Sequence, residues 1–101
     1  MNQINLFDRK GSLQERFERF HAENPHVFTL LVRLSREWKA AGHKRCAIDV
    51  LFGRLRWDIG IKTVGDDFRV NNDFRSRYSR KIMAECPDLD GFFEVRELRA
   101  A

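Results

Sequence analysis

A chain of 101 residues with 43% hydrophobic residues, nine Phe and two Trp can build one core and is too short for two domains. Its net charge of +4 and pI near 9.5 point to anionic partners, and its aromatic content excludes a disordered chain despite 34% charged residues. The longest apolar run, residues 27–32, is far too short for a bilayer, and residues 1–11 (MNQINLFDRKG) lack a signal-peptide core, so a cytoplasmic protein with no membrane contact is expected.

Residues 1–11 show no periodicity and read as a flexible N-terminal arm ahead of a single domain spanning 12–101. The motif Ser12-x-x-Glu15 is a capping box that opens a first helix, with Leu13, Phe17 and Phe20 on its buried side. Asn24-Pro25 starts a second helix, with Asn24 as the N-cap and Pro25 in the first turn. Val27, Leu30, Leu31, Leu34, Trp38 and Ala41 share one face of it, and Gly42 ends it. A third helix is predicted over residues 44–57. Its main face is Ala47, Ile48, Leu51 and Leu55, and Val50 and Trp57 form a second apolar side. Only Arg45, Asp49 and Arg56 are clearly polar, which predicts an interior helix, with Gly53 marking a close helix approach.

Residues 59–64 and 68–71 alternate apolar and polar on either side of Gly65-Asp66-Asp67, the pattern of a β-hairpin with Phe68 and Val70 inward and Arg69 and Asn71 outward. Asn72-Asp73 is expected to cap a fourth helix over residues 73–85, buried through Phe74, Tyr78 and Ile82 and stopped by Pro87. Residues 88–91 form a turn, and residues 92–96 read as a short strand with Phe93 and Val95 inward. The expected fold is mainly α with a small β-hairpin, order ααα-ββ-α-(β), which is the element order of winged-helix modules.

The charge is uneven. Residues 44–84 carry ten Lys/Arg against five acids, whereas residues 85–101 carry two against five. Lys62, Arg69, Arg75, Arg77, Arg80 and Lys81 on the hairpin and fourth helix are the expected phosphate contacts, joined by Arg45 and Arg56 from the third helix. The plain alternative is a solvated charged face. Asn71-Asn72 could read an adenine edge, but a strand end followed by a helix cap accounts for both residues. Asp66-Asp67 and Asp88/Asp90 match turns better than a calcium loop. Cys46 and Cys86 have no metal-ligand spacing, and His21, His26 and His43 form no patterned cluster, so neither a metal, a cofactor nor an enzyme is expected. Trp38, Trp57 and the Phe residues fall at core spacing, which makes base stacking the minor reading.

The segments FHAENP (20–25), RLRW (54–57), GDDF (65–68) with VNN (70–72), and GFFEVR (91–96) resemble a family of small proteins found in bacterial genomes, phages and prophages. The resemblance spans about residues 13–96 and implies a one-domain protein in a mobile-element setting. It carries no activity and no site residues to this chain.

Two functions are therefore expected. The first is a non-enzymatic nucleic-acid-binding protein, with DNA preferred over RNA, that grips phosphates with the hairpin and fourth helix. The second is an interaction module or inhibitor of a host protein, of the kind phages use. Convergence of Lys62, Arg69, Arg77, Arg80 and Lys81 on one concave surface favours the first, and scatter favours the second.

Overall fold

The computed structural model describes residues 11–62 and 70–94. Among them run four α-helices and no strand: α1 (Leu13–Glu23), α2 (Pro25–Ala40), α3 (Ile48–Lys62) and α4 (Arg75–Glu85). Single 3₁₀ turns precede α4 at Asn72–Phe74 and follow it at Pro87–Leu89. Packing of α1 on α2, α2 on α3 and α3 on α4 encloses one core.

Local chemistry accounts for most of the helix ends. The Ser12 hydroxyl accepts from the Glu15 N–H at 3.1 Å, and the Glu15 carboxylate accepts from the Ser12 N–H at 2.8 Å, satisfying two donors that a helix start leaves open. Asn24 is a C-cap before it is an N-cap. Its backbone N–H donates to the carbonyls of Phe20 and His21, its side-chain amide donates to Phe20 O, and no side-chain cap reaches α2. Pro25 then starts α2 without a break, because the first-turn N–H it lacks has no helical acceptor. Gly42, at φ +108°, takes the left-handed position that ends α2.

Phe17 is the centre of an aromatic cluster. Its ring meets Tyr78 edge-on at 4.8 Å and Phe74 at 5.6 Å, bringing α1 onto α4. Val27, Leu31 and Leu34 of α2, Leu51, Phe52 and Leu55 of α3, and Ile82 of α4 complete the core. Full burial of a side chain such as Leu31 contributes about 1.5–3 kcal/mol before entropy is counted. Ser35 and Ser79 are buried with their hydroxyls donating to the carbonyls of Leu31 and Arg75, four residues back, so neither leaves a donor open. Across the surface, Arg36 of α2 grips Asp88 with two parallel bonds of 3.0 and 3.1 Å, and the Lys39 ammonium donates to the Asp88 carbonyl. That guanidinium holds the Asp88 carboxyl below the usual carboxylate range.

The winged-helix expectation is overturned. Residues 59–62, assigned by alternation to the first hairpin strand, are the last turn of α3. Ile59 continues the buried line of Ile48, Phe52 and Leu55 at steps of four, three and four, so the helical period is satisfied as well as the alternating one. Residues 63–69, which include the Gly65-Asp66-Asp67 turn, lie outside the described residues, and so do Val95, Arg96 and the arm up to residue 10. Val70 is buried as expected, but it leads into a 3₁₀ turn rather than ending a strand. The late strand is reduced, among the described residues, to one parallel bridge between Phe93 and Cys46, with the Cys46 N–H donating to Phe92 O at 3.1 Å. That bridge holds residues 44–47 off the helix, so α3 begins at Ile48 instead of Lys44. The cap ahead of α4 also shifts: Asn71, not Asn72, accepts from the Asp73 N–H, at 2.8 Å.

Candidate interaction surface

The expectation that α3 is interior holds for one side only. Leu51, Phe52 and Leu55 are buried, but Val50, Trp57 and Ile61 are 47%, 66% and 60% exposed. At 3.6 residues per turn these three fall within about 40° of one another and span about 16 Å of helix. Gly53 and Gly60 lie beside them on the same face, and a Cβ at either would meet nothing within 4 Å. Gly53 therefore marks no close approach among the described residues.

Each flank of the stripe carries an acid and a base. On one side Arg54 Nε donates to Asp58 Oδ1 at 3.1 Å, and Arg33 of α2 reaches the same carboxylate at 3.8 Å. Asp58 is only 14% exposed at its side chain, so this bridged pair fixes the edge of the stripe against α2. A cleft of 360 Å³ opens there, lined by His26, Thr29, Leu30 and Arg33 of α2 with Asp58 and Ile59. On the other side lie Asp49 and Arg56, tied to the start of α4: Arg75 Nη1 donates to Asp49 Oδ1 at 2.7 Å, and Arg56 donates to Val70 O and Asn72 Oδ1.

Several of the expected phosphate contacts have partners within the chain. Arg56 and Arg75 are neighbours on the α3–α4 edge, holding Asn72 and Asp49. Arg77 points to α1 and donates to Gln14 Oε1 at 2.9 Å. Lys81 pairs with Glu85 at 2.6 Å and sits 5.7 Å from the centre of the Phe28 ring of α2. Arg80 is exposed on α4, and Arg45 is exposed in the α2–α3 loop, where its carbonyl accepts from Trp38 Nε1 at 3.0 Å. Lys62 closes α3, and Arg69 lies outside the described residues.

Residue spacing could not have located the stripe. With apolar residues round most of α3, the sequence leaves open which arc faces the core. Trp57 is the clearest miss, assigned to the core and found on the surface.

Elsewhere the chemistry is quiet. Cys46 and Cys86 are buried free thiols, and burial pushes the Cys46 thiol up, away from the reactive thiolate. Among the described residues no group of three or more His, Cys, Asp or Glu is placed to hold a metal ion, and no helix is long and apolar enough to cross a membrane. His21 is stacked on Phe17, edge-on to Phe28 and Tyr78, and burial with the nearby Lys81 charge lowers its pKa while Glu85 opposes the shift. No protein-family model, curated protein or solved structure matches the chain.

Proposed function

We propose that the protein is a non-enzymatic interaction module that docks a protein partner on the outer face of α3. The observation that carries this reading is the exposure of Val50, Trp57 and Ile61 side by side on one helix. Single exposed apolar residues are ordinary, but a contiguous stripe centred on a Trp has the composition of a binding anchor. The dispersal of Arg75, Arg77 and Lys81 onto partners inside the chain supports the same reading.

Photo-crosslinking tests it. A benzophenone side chain is placed at Ile61 on the stripe or at the exposed Ala22 on α1. A protein adduct formed from position 61, absent from position 22 and removed by Trp57→Glu, is the expected result. Equal adducts from both positions would overturn the reading.

Nucleic-acid binding is the second reading, supported by the +4 net charge and by Arg56 and Arg75 side by side on the α3–α4 edge. Filter binding to duplex DNA across a salt series separates the two. A log–log slope of about −4, for four to five neutralised phosphates, that survives Trp57→Glu would carry this second reading. Absence of binding at low salt would remove it.

A further inference from the structure

We propose that the loop between α2 and α3, residues 41–47, binds single-stranded nucleic acid, with a base stacked on the outer face of His43 and phosphates held by Lys44 and Arg45. This site does not use the exposed stripe of α3, and it does not rest on that stripe docking a protein.

The first support is an aromatic platform. The His43 ring lies over the Trp38 indole, with ring centres 4.2 Å apart and planes 20° from parallel. Trp38 is half-buried and packs on the core, whereas His43 is exposed, so the stack is fixed from below and open above. Every base has a flat face, and an exposed ring beside cations is what proteins offer to single strands. An acidic peptide would use the cations and leave the ring idle.

The second support is charge with no use inside the chain. Lys44 and Arg45 are exposed, and among the described residues neither side chain makes a hydrogen bond or an ion pair. The other charges at this end of α2 have partners: Arg33 meets Glu37, Arg36 grips the Asp88 carboxylate, and Lys39 donates to the Asp88 carbonyl. Glu94, next to Phe93 of the bridge, pairs with neither Lys44 nor Arg45. Lys39 stands in the last turn of α2, where a cation meets the helix dipole. Lys44 and Arg45 lie beyond that turn, where the dipole has fallen away.

The third support is that the loop is set before a partner arrives. The Gly42 N–H donates to Lys39 O at 3.0 Å, Trp38 Nε1 donates to Arg45 O at 3.0 Å, and the Cys46 N–H donates to Phe92 O at 3.1 Å. The indole that carries the His43 ring thus also holds the backbone of the second cation. Binding then costs little ordering of the main chain.

Fluorescence anisotropy of a labelled oligodeoxyadenylate of about ten nucleotides tests the proposal. The expected result is binding at low salt, with a log–log salt slope of roughly −1.5 for about two neutralised phosphates. Lys44→Glu combined with Arg45→Glu should weaken binding by roughly tenfold or more. Both side chains are exposed and unpaired among the described residues, so this variant should keep the wild-type thermal midpoint. His43→Ala should weaken binding by roughly fivefold or more, while His43→Phe, which keeps a flat ring, should stay within about threefold of the wild type. With Trp57→Phe, Trp38 is the one indole left, and its emission should change on binding. A wild type that does not bind at low salt overturns the proposal, as does a His43→Ala protein that binds as the wild type does. Unchanged Trp38 emission, or polyglutamate of equal length binding as tightly as the single strand, overturns it too. None of these outcomes touches the docking surface on α3.

Discussion

Arg56 Nη2 donates to the backbone carbonyl of Val70 at 3.2 Å, so a guanidinium on the exposed edge of α3 holds the chain that leads into α4. The same group donates to Asn72 Oδ1 and lies 5.7 Å from the centre of the Phe52 ring. A residue expected to meet phosphate is thereby part of the fold. Arg56→Ala should lower stability by about 1–2 kcal/mol in urea denaturation, the scale of hydrogen bonds lost from a charged donor. Arg56→Lys should recover part of this, since one ammonium can donate to both acceptors of Nη2 but lacks the flat guanidinium face over the Phe52 ring.

The Tyr78 ring is fully buried and its hydroxyl meets no partner among the described residues, while burial raises its pKa. Removing an unpartnered polar atom should cost little or stabilise. Tyr78→Phe is expected between no change and a gain of about 1 kcal/mol. Tyr78→Ala, which empties the site between Phe17 and Phe52, should cost about 3–5 kcal/mol. A large loss on Tyr78→Phe would mean that the hydroxyl is satisfied after all.

His21 makes stability depend on pH in mild acid. Burial, followed by the Lys81 charge, lowers its pKa below the ordinary 6.5, and Nδ1 has no hydrogen-bond partner among the described residues. The unfolded chain then binds the proton more readily than the folded one, so stability is retained above about pH 6.5 and declines as pH falls below it. Urea midpoints at pH 7.5, 6.5 and 5.5 should decrease in that order, and His21→Asn should flatten the decrease. An unchanged slope in the variant would assign the effect to other groups.

The capping box at Ser12 and Glu15 closes the first turn of α1, which carries Phe17 into the core. Ser12→Ala should cost about 1 kcal/mol, measured by thermal or urea unfolding. Ser12→Asp should retain most of the stability, since a carboxylate accepts the same bond and suits the positive end of the helix.

The starts of α1 and α2 are legible because they depend on neighbours in sequence, whereas those of α3 and α4 are displaced by the bridge to Phe93 and by a 3₁₀ turn. Ser12-x-x-Glu15, Asn24-Pro25 and the stripe of Val27, Leu31 and Leu34 all involve residues within one or two turns of each other. The hairpin was misread at Ile59 and Ile61, because six residues of alternation cannot be told from the end of a helix whose line Phe52, Leu55 and Ile59 continues. Of the eight cations expected at phosphates, Arg56, Arg75, Arg77 and Lys81 are held by groups on other elements or one turn away. Their positions in sequence gave no sign of this.

By itself, the sequence determined a mainly helical chain with a basic middle, the starts of the first two helices, and most of the aromatic and aliphatic residues of its core. Those follow from capping chemistry and from the 3.6-residue period, which act locally. Only the tertiary structure decided which side of α3 is covered. Packing against α2 and α4 takes up Leu51, Phe52 and Leu55 and leaves Val50, Trp57 and Ile61 outside. An apolar helix can bury only the arc its neighbours reach, and where those neighbours sit is a property of the whole chain.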